Sequence, residues 1–409
     1  MINHKIIDYI FSSASIQRWN DYPRMVELVE LDKQAHKFII AYFIAKLEDD
    51  VNYTHLIEAG IFEFLRRVVV TDIRPDVFRN ALQKKSKEIN SWVISKLHDS
   101  IKDIDNGNFL KKFEEYLENP NMYKKERFIN KAASYLSTKW EFSIVYQTSA
   151  FLSDIEDVKK SVEEEIEDYY ELIGVRKIAL NKKLAKVVDL SGRLRFQKRW
   201  SQTPRIPETS VLGHMLTVAL FGYFYSIDIN ACDKRLQNNF YTGLFHDLPE
   251  ALTRDIISPV KYCVDDLSEI ISEYEIIKIE DDIMPNIPEN TKNEFAYYLG
   301  LYDGVKDEFL DKTYIDKIEV ISDGLASYNS DKYNAIDGKA LKQCDKLSAF
   351  IEASLSISHG IKSKELVNGK NEIFKSLKTV QGVDFKEIAK KIDDAFGTTG
   401  QTQVRMEFD

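Results

Sequence analysis

Two histidines and two aspartates in the second half of the chain have the types and surroundings of a metal site. His214 lies on an apolar stretch with Val211, Met215 and Val218. His246 and Asp247 directly follow Leu244-Phe245, and Asp345 borders an apolar stripe of Leu341, Cys344, Leu347, Ile351 and Leu355. An ionisable group on an inward face is costly unless it finds a hydrogen bond, an opposite charge or a cation. Two imidazoles and two carboxylates form a mixed nitrogen and oxygen set. That set suits one divalent ion (Mn, Co, Mg, Fe or Zn) with coordination positions left for water. Each signal alone is weak. A single histidine on an apolar helix is an ordinary core residue, and His98-Asp99 is a second His-Asp pair that reads as a surface accident.

The elements that must carry these residues read as helices. Only 9 prolines and 16 glycines punctuate 409 residues, and apolar residues recur at three- and four-residue intervals. A helix is expected from Val211 to Phe224, with Thr209 and Ser210 as N-cap candidates, and another from Ala340 to Ile357. The β-rich run Val68-Val69-Val70 is too short to overrule its helical surroundings, and strands are expected to be scarce. A charged helix from Ile155 to Val175, carrying Glu163-Glu164-Glu165, reads as a connector that holds a domain boundary near residue 175.

The chain also carries what reads as a diverged internal duplication. Arg18-Trp19-Asn20-Asp21-Tyr22-Pro23-Arg24 and Arg199-Trp200-Ser201-Gln202-Thr203-Pro204-Arg205 both spell R-W-x-x-x-P-R. Each is followed by a helix with one histidine, His36 and His214. Ile61-Phe62-Glu63-Phe64 stands opposite Leu244-Phe245-His246-Asp247, and Asp72 and Asp255 follow at equal distances.

In this order, His, His-Asp, Asp, the second half resembles the HD superfamily of metal-dependent phosphohydrolases. The run from Gly243 to Asp255 (GLFHDLPEALTRD), with Pro259-Val260-Lys261-Tyr262 after it, is similar to bacterial 5′-deoxynucleotidases of the YfbR-like group. Arg199-Trp200 before His214 and Cys344-Asp345-Lys346-Leu347-Ser348-Ala349-Phe350 extend the likeness over about residues 190 to 360. The resemblance implies that His214, His246, Asp247 and Asp345 hold one divalent metal. It implies that Arg199 binds the phosphate and Trp200 packs on the sugar, leaving no room for a 2′-hydroxyl. It further implies Glu250 as the acid/base residue and Asp255 as a contact to the sugar or the attacking water. These roles suit the chemistry of the side chains: a guanidinium is a planar partner for phosphate, and a metal activates water at neutral pH. Two departures stand out. Gly213 occupies the place where the group commonly has an acidic residue, and about forty extra residues, Leu301 to Lys339, precede the last ligand helix.

The expected architecture is mainly α: two tandem HD-like helical bundles, 1–175 degenerate and 176–409 catalytic, with an insertion at 301–339. The first copy has Glu63-Phe64 where the metal pair should stand, and phenylalanine cannot ligate. It is expected to be catalytically dead and to dock on the live copy as an internal pseudo-dimer, with further homo-oligomerisation open. The expected substrate is a small nucleotide, most simply a deoxynucleoside 5′-monophosphate. Deoxynucleoside triphosphate hydrolysis and a non-catalytic nucleotide-sensing or scaffold role are the alternatives. A formal net charge of −10 argues against non-specific nucleic-acid binding. Three scattered cysteines form no disulfide framework and fit a reducing compartment. The sequence shows no signal peptide and no span of about 18 apolar residues, so a cytoplasmic location without membrane contact is expected.

Overall fold

The computed structural model describes residues 4–71, 73–254, 264 and 266–402. The helices of the first half are α1 (His4–Ser12), α2 (Glu30–Ala45), α3 (Tyr53–Val70), α4 (Pro75–Ile101), α5 (Asn108–Glu118), α6 (Lys124–Ser149), α7 (Ile155–Glu164) and α8 (Ile173–Ala179). Then follow α9 (Lys183–Arg193), α10 (Val211–Asp228), α11 (Asp233–Phe245), α12 (Glu250–Thr253), α13 (Leu267–Lys278), α14 (Lys292–Tyr298), α15 (Gly338–Ser358), α16 (Lys364–Ser376) and α17 (Phe385–Thr402). The fold is mainly α, as expected. The Val68–Val70 run lies within α3, and α10 and α15 cover the two expected helices.

The centre of the molecule is α10. It packs against α11 and α15 on its own side and against α2 from the first half. All but its last two residues are buried. By length and hydropathy this helix could cross a bilayer, which departs from the expectation that no such stretch exists; here its apolar surface is satisfied by neighbouring helices. In the first half α2 packs against α6 and α3, and one apolar core runs through both halves.

The expected connector helix from 155 to 175 is broken. It ends at Glu164, passes through a 3-10 turn, Glu165–Tyr169, and restarts at Ile173. Glu163, Glu164 and Glu165 crowd its C-terminal end, where the helix dipole disfavours negative charge. Gly174 then lets α8 press on α2, since a Cβ there would lie 2.6 Å from the Ile44 Cα.

The residues called an insertion contain most of the strands. β1 (Leu301–Tyr302) and β2 (Val305–Lys306) form a hairpin through Asp303-Gly304, both at positive φ, as a tight two-residue hairpin requires. β3 (Asp311–Tyr314) is central between β4 (Ile318–Val320) and β5 (Ile336–Asp337), both antiparallel to it, with Lys312 opposite Val320 and Asp311 opposite Asp337. Asp337 ties this small sheet to α11. Arg235 donates to both its oxygens, at 2.7 and 2.5 Å, and Asn239 adds a bond of 2.8 Å; all three side chains are buried. A buried pair held on both sides in this way is geometrically exacting, so the segment is fastened to the helix that leads into His246.

A local construction recurs in the two halves. Isolated bridges join Gln17 to Val29 and Lys198 to Ser210. Trp19 and Trp200 both have left-handed backbone conformations, at φ 55° and 56°. The Trp19 indole donates to Glu141 at 3.3 Å, and that of Trp200 donates to Glu352 at 3.0 Å. Counting from the bridges gives a register different from the one that matches the histidines. Four residues past Ser210 stands His214, but four past Val29 stands Lys33, not His36. The Lys33 ammonium donates to Ser134, which lies seven residues before Glu141, as Asp345 lies seven before Glu352. His36 sits one turn further on, with Nε2 on the Val188 carbonyl at 2.8 Å and its ring edge-on to Trp140. Asp72 lies outside the described residues.

Candidate metal centre

Helix α10 begins where Ser210 caps it: the Ser210 hydroxyl accepts from the Gly213 N–H at 3.0 Å and donates to Asp32 of α2 at 2.6 Å. One turn on, His214 faces α15. Its Nε2 lies 3.0 Å from Asp345 Oδ1 and 3.8 Å from Asp247 Oδ2, and its Nδ1 meets the Ser348 hydroxyl at 3.1 Å. Helix α11 delivers His246 and Asp247 just past its C-terminal end. Four expected ligands from three places in the chain therefore converge, and ligand atoms of His214, His246 and Asp247 lie within 4.8 Å of one another.

His246 carries the clearest sign of what this cluster fits. Its Nδ1 lies 2.8 Å from the Gly243 carbonyl, which can only accept, so in the neutral ring the proton sits on Nδ1 and the lone pair on Nε2. That Nε2 is buried and makes no hydrogen bond of good geometry, although Asp247 Oδ2 is 3.1 Å away. Close approach without alignment is how two ligands of one ion face each other, and the bond to Gly243 is the kind of outer contact that orients a ligating histidine. Burial alone would push the His246 imidazole down, but the adjacent Asp247 carboxylate reverses this and raises it to about 9. Asp247 and Asp345 are driven up by burial, yet His246 and His214 respectively hold them below the usual carboxylate range. The local field thus favours positive charge between these groups.

Arg199 and Trp200 reach the same place. Arg199 Nη1 is 3.9 Å from Asp247 Oδ2, and its Nε is 3.5 Å from Glu352 Oε2. Glu250 is buried at the first position of α12, with its backbone N–H on the Asp247 carbonyl at 3.0 Å. Asp255 lies outside the described residues, as do Pro259 and Tyr262. The His98 and Asp99 side chains are exposed at 51% and 61%, as those of a surface pair should be.

Gly213 has a steric reason. A Cβ there would come within 2.9 Å of both Asp32 Oδ1 and Leu31 Cδ2 where α2 crosses α10. A larger side chain would have to displace Asp32 and Leu31 at that crossing, and the carboxylate beside it belongs to Asp32 instead.

Several residues at the site were not anticipated from the sequence. Glu352 is 1% exposed and is pulled down to about 2: burial pushes it up, and Arg205, Arg199 and His214 outweigh that. The signal was present, since position 352 lies two helical turns beyond Asp345 on the same face of α15. From the 301–339 segment, Phe309 packs on the His246 ring at 5.9 Å between centroids. Lys306 pairs with Glu308 at 3.0 Å and Glu275 at 3.4 Å, close enough to Asp247 to feel its charge. No periodicity announces such contacts.

The comparisons with known proteins agree with this geometry. The HD domain family matches residues 191–374. A 5′-deoxynucleotidase of Pasteurella multocida (strain Pm70) is 21% identical over 216 residues, which is 50% of this chain and 90% of that protein. A 5′-deoxynucleotidase of Vibrio atlanticus (strain LGP32) is 27% identical over 26% of this chain and 57% of its own length. One from Cronobacter sakazakii (strain ATCC BAA-894) is 27% identical over 29% of this chain and 60% of its own length. All of the family match falls on the second half, on the residues that build the cluster, and the stretch from residue 191 to residue 374 is an HD domain similar to those of 5′-deoxynucleotidases.

Proposed function

We propose that the chain is a phosphohydrolase that cleaves deoxynucleoside 5′-monophosphates to the deoxynucleoside and phosphate, using one divalent cation held by His214, His246, Asp247 and Asp345. The observation that carries this reading is the junction of Arg199 with the ligand cluster, 3.9 Å from Asp247, with the Trp200 indole on Glu352, which Arg199 also approaches. A divalent cation at the cluster supplies Lewis acidity towards the phosphoryl oxygens and a more acidic water. The protein's own groups do the rest. Arg199 binds and orients the phosphate and offsets charge on its oxygens, Trp200 packs on the sugar, and Glu250 gives a proton to the leaving 5′-oxygen. Asp255 is proposed to contact the sugar or the attacking water.

The first half is proposed to be a degenerate HD-like lobe docked as an internal pseudo-dimer. Its support is the recurring bridge, the Trp–Glu bond, and Lys33 with Ser134 where the other half has His214 with Asp345. A second reading is hydrolysis of the triphosphate, with Lys306, paired to Glu308 and Glu275, within electrostatic reach of Asp247.

Purified full-length protein, assayed for release from deoxynucleoside mono- and triphosphates with Mn, Co or Mg, tests these readings. Inorganic phosphate from the monophosphate, abolished in Asp247→Ala, is the expected result. Tripolyphosphate release would move the assignment to the second reading. No metal-dependent turnover of any nucleotide would overturn both and leave a sensing or scaffold role.

A further inference from the structure

Trp200 is held from three sides. Its backbone is left-handed at φ 56°. Its indole N–H donates to Glu352 Oε2 at 3.0 Å. The far edge of its ring lies against α16 at Gly369, where an added Cβ would come within 2.9 Å of both Cη2 and Cζ3. The carboxylate that fixes the near edge is itself buried and saturated. Its other oxygen accepts from the Thr209 hydroxyl at 2.7 Å, and Arg199 stands 3.5 Å from Oε2. The indole–carboxylate bond recurs at Trp19 and Glu141, whereas the glycine seat belongs to the second half.

We infer that Glu352 and Gly369 are positioning residues that set sugar selectivity through Trp200, one anchoring the polar edge of the indole and the other leaving room for its benzene edge. The inference rests on the nucleotide reading above. An apolar wall rejects an added hydroxyl only by being rigid, because a ring that can swing aside yields the space, and such walls discriminate by roughly 100-fold at best. Each device limits a different motion of the ring. The hydrogen bond opposes rotation about the side-chain torsions, and the glycine sets how far the ring can lean into the helix.

Binding of deoxyadenosine and adenosine 5′-monophosphate to the metal-free full-length protein, by titration calorimetry, tests this. Two variants are compared with wild type. Gly369→Ala replaces a helical glycine by a better helix former, so folding is protected, but its methyl displaces the ring. Glu352→Gln keeps the shape, yet its amide has one acceptor for the two donors Trp200 and Thr209. Wild type is expected to prefer the deoxynucleotide by tens of times to roughly 100-fold, and both variants to cut that preference by roughly tenfold, with the Gly369→Ala melting temperature undiminished. An unchanged preference in a folded Gly369→Ala protein would overturn the inference and leave the proposed activity standing. A wild type that binds neither nucleotide, or both equally, would overturn the inference and the deoxynucleotide reading together.

Discussion

The Ser210 hydroxyl donates a 2.6 Å hydrogen bond to Asp32, a residue 178 positions earlier in the chain, while it caps the helix that carries His214. One hydroxyl thus joins the first half of the protein to the first turn of the proposed metal helix. Ser210→Ala removes the cap and strands a buried carboxylate. The expected cost is about 2–3 kcal/mol, a cap plus an unsatisfied buried acceptor, read as a lower denaturant midpoint. Asp32→Ala should leave the cap intact and cost less.

Metal binding is expected to stabilise the folded chain, because an ion that binds only the native state adds about 2.7 kcal/mol at 100 times its dissociation constant. Manganese should raise the melting temperature of wild type. It should leave Asp247→Asn and His246→Gln unmoved, and a chelator should reverse the wild-type shift. Equal shifts in wild type and both variants would place the ion elsewhere.

Arg199→Lys keeps the charge and loses the planar fork. Nucleotide affinity should fall roughly tenfold or more, since charged hydrogen bonds contribute about 1.5–3 kcal/mol. The manganese-dependent thermal shift should persist, because Arg199 contributes no ligand. Unchanged affinity would remove it from the phosphate-binding role.

Lys33 offers a pH test with a definite sign. Burial lowers its ammonium from 10.5 to about 7, against the partial support of Glu30. Between about pH 7 and pH 10.5 the unfolded chain keeps this proton and the folded chain does not, so its contribution to stability rises with pH. The slope is at most about 1.4 kcal/mol per pH unit. Relative to Lys33→Met, wild type should therefore gain stability between pH 7 and pH 9.5 in urea titrations. A constant difference would mean that Lys33 remains charged against Ser134.

The helices were legible in the sequence because their signal is local. The stripe from Leu341 to Leu355 and the Ser210 cap each occupy one continuous stretch, and the structure has both. The Asp303-Gly304 hairpin is an equally local feature, a two-residue turn at positive φ between β1 and β2. The break after Glu164 depended on like charge at a helix end and on the close approach of Gly174 to Ile44, and only the first of these can be read from residue order. His36 and His214 both lie on the helix after an R-W-x-x-x-P-R run, but at different distances from the local bridge. Counted from the bridges, Lys33 stands four residues past Val29 as His214 stands four past Ser210.

By itself the sequence determined which residues could act as ligands and which segments would be helical, since both follow from side-chain chemistry and from a period of 3.6 residues. Only the tertiary structure decided that His214, His246 and Asp247 share one small volume with Asp345 on His214, that Glu352 holds Trp200, and that Phe309 closes on His246. The reason is physical. Convergence of groups a hundred residues apart is set by how helices cross and how closely they approach, at points such as Gly213 against Asp32, and no local pattern encodes that distance.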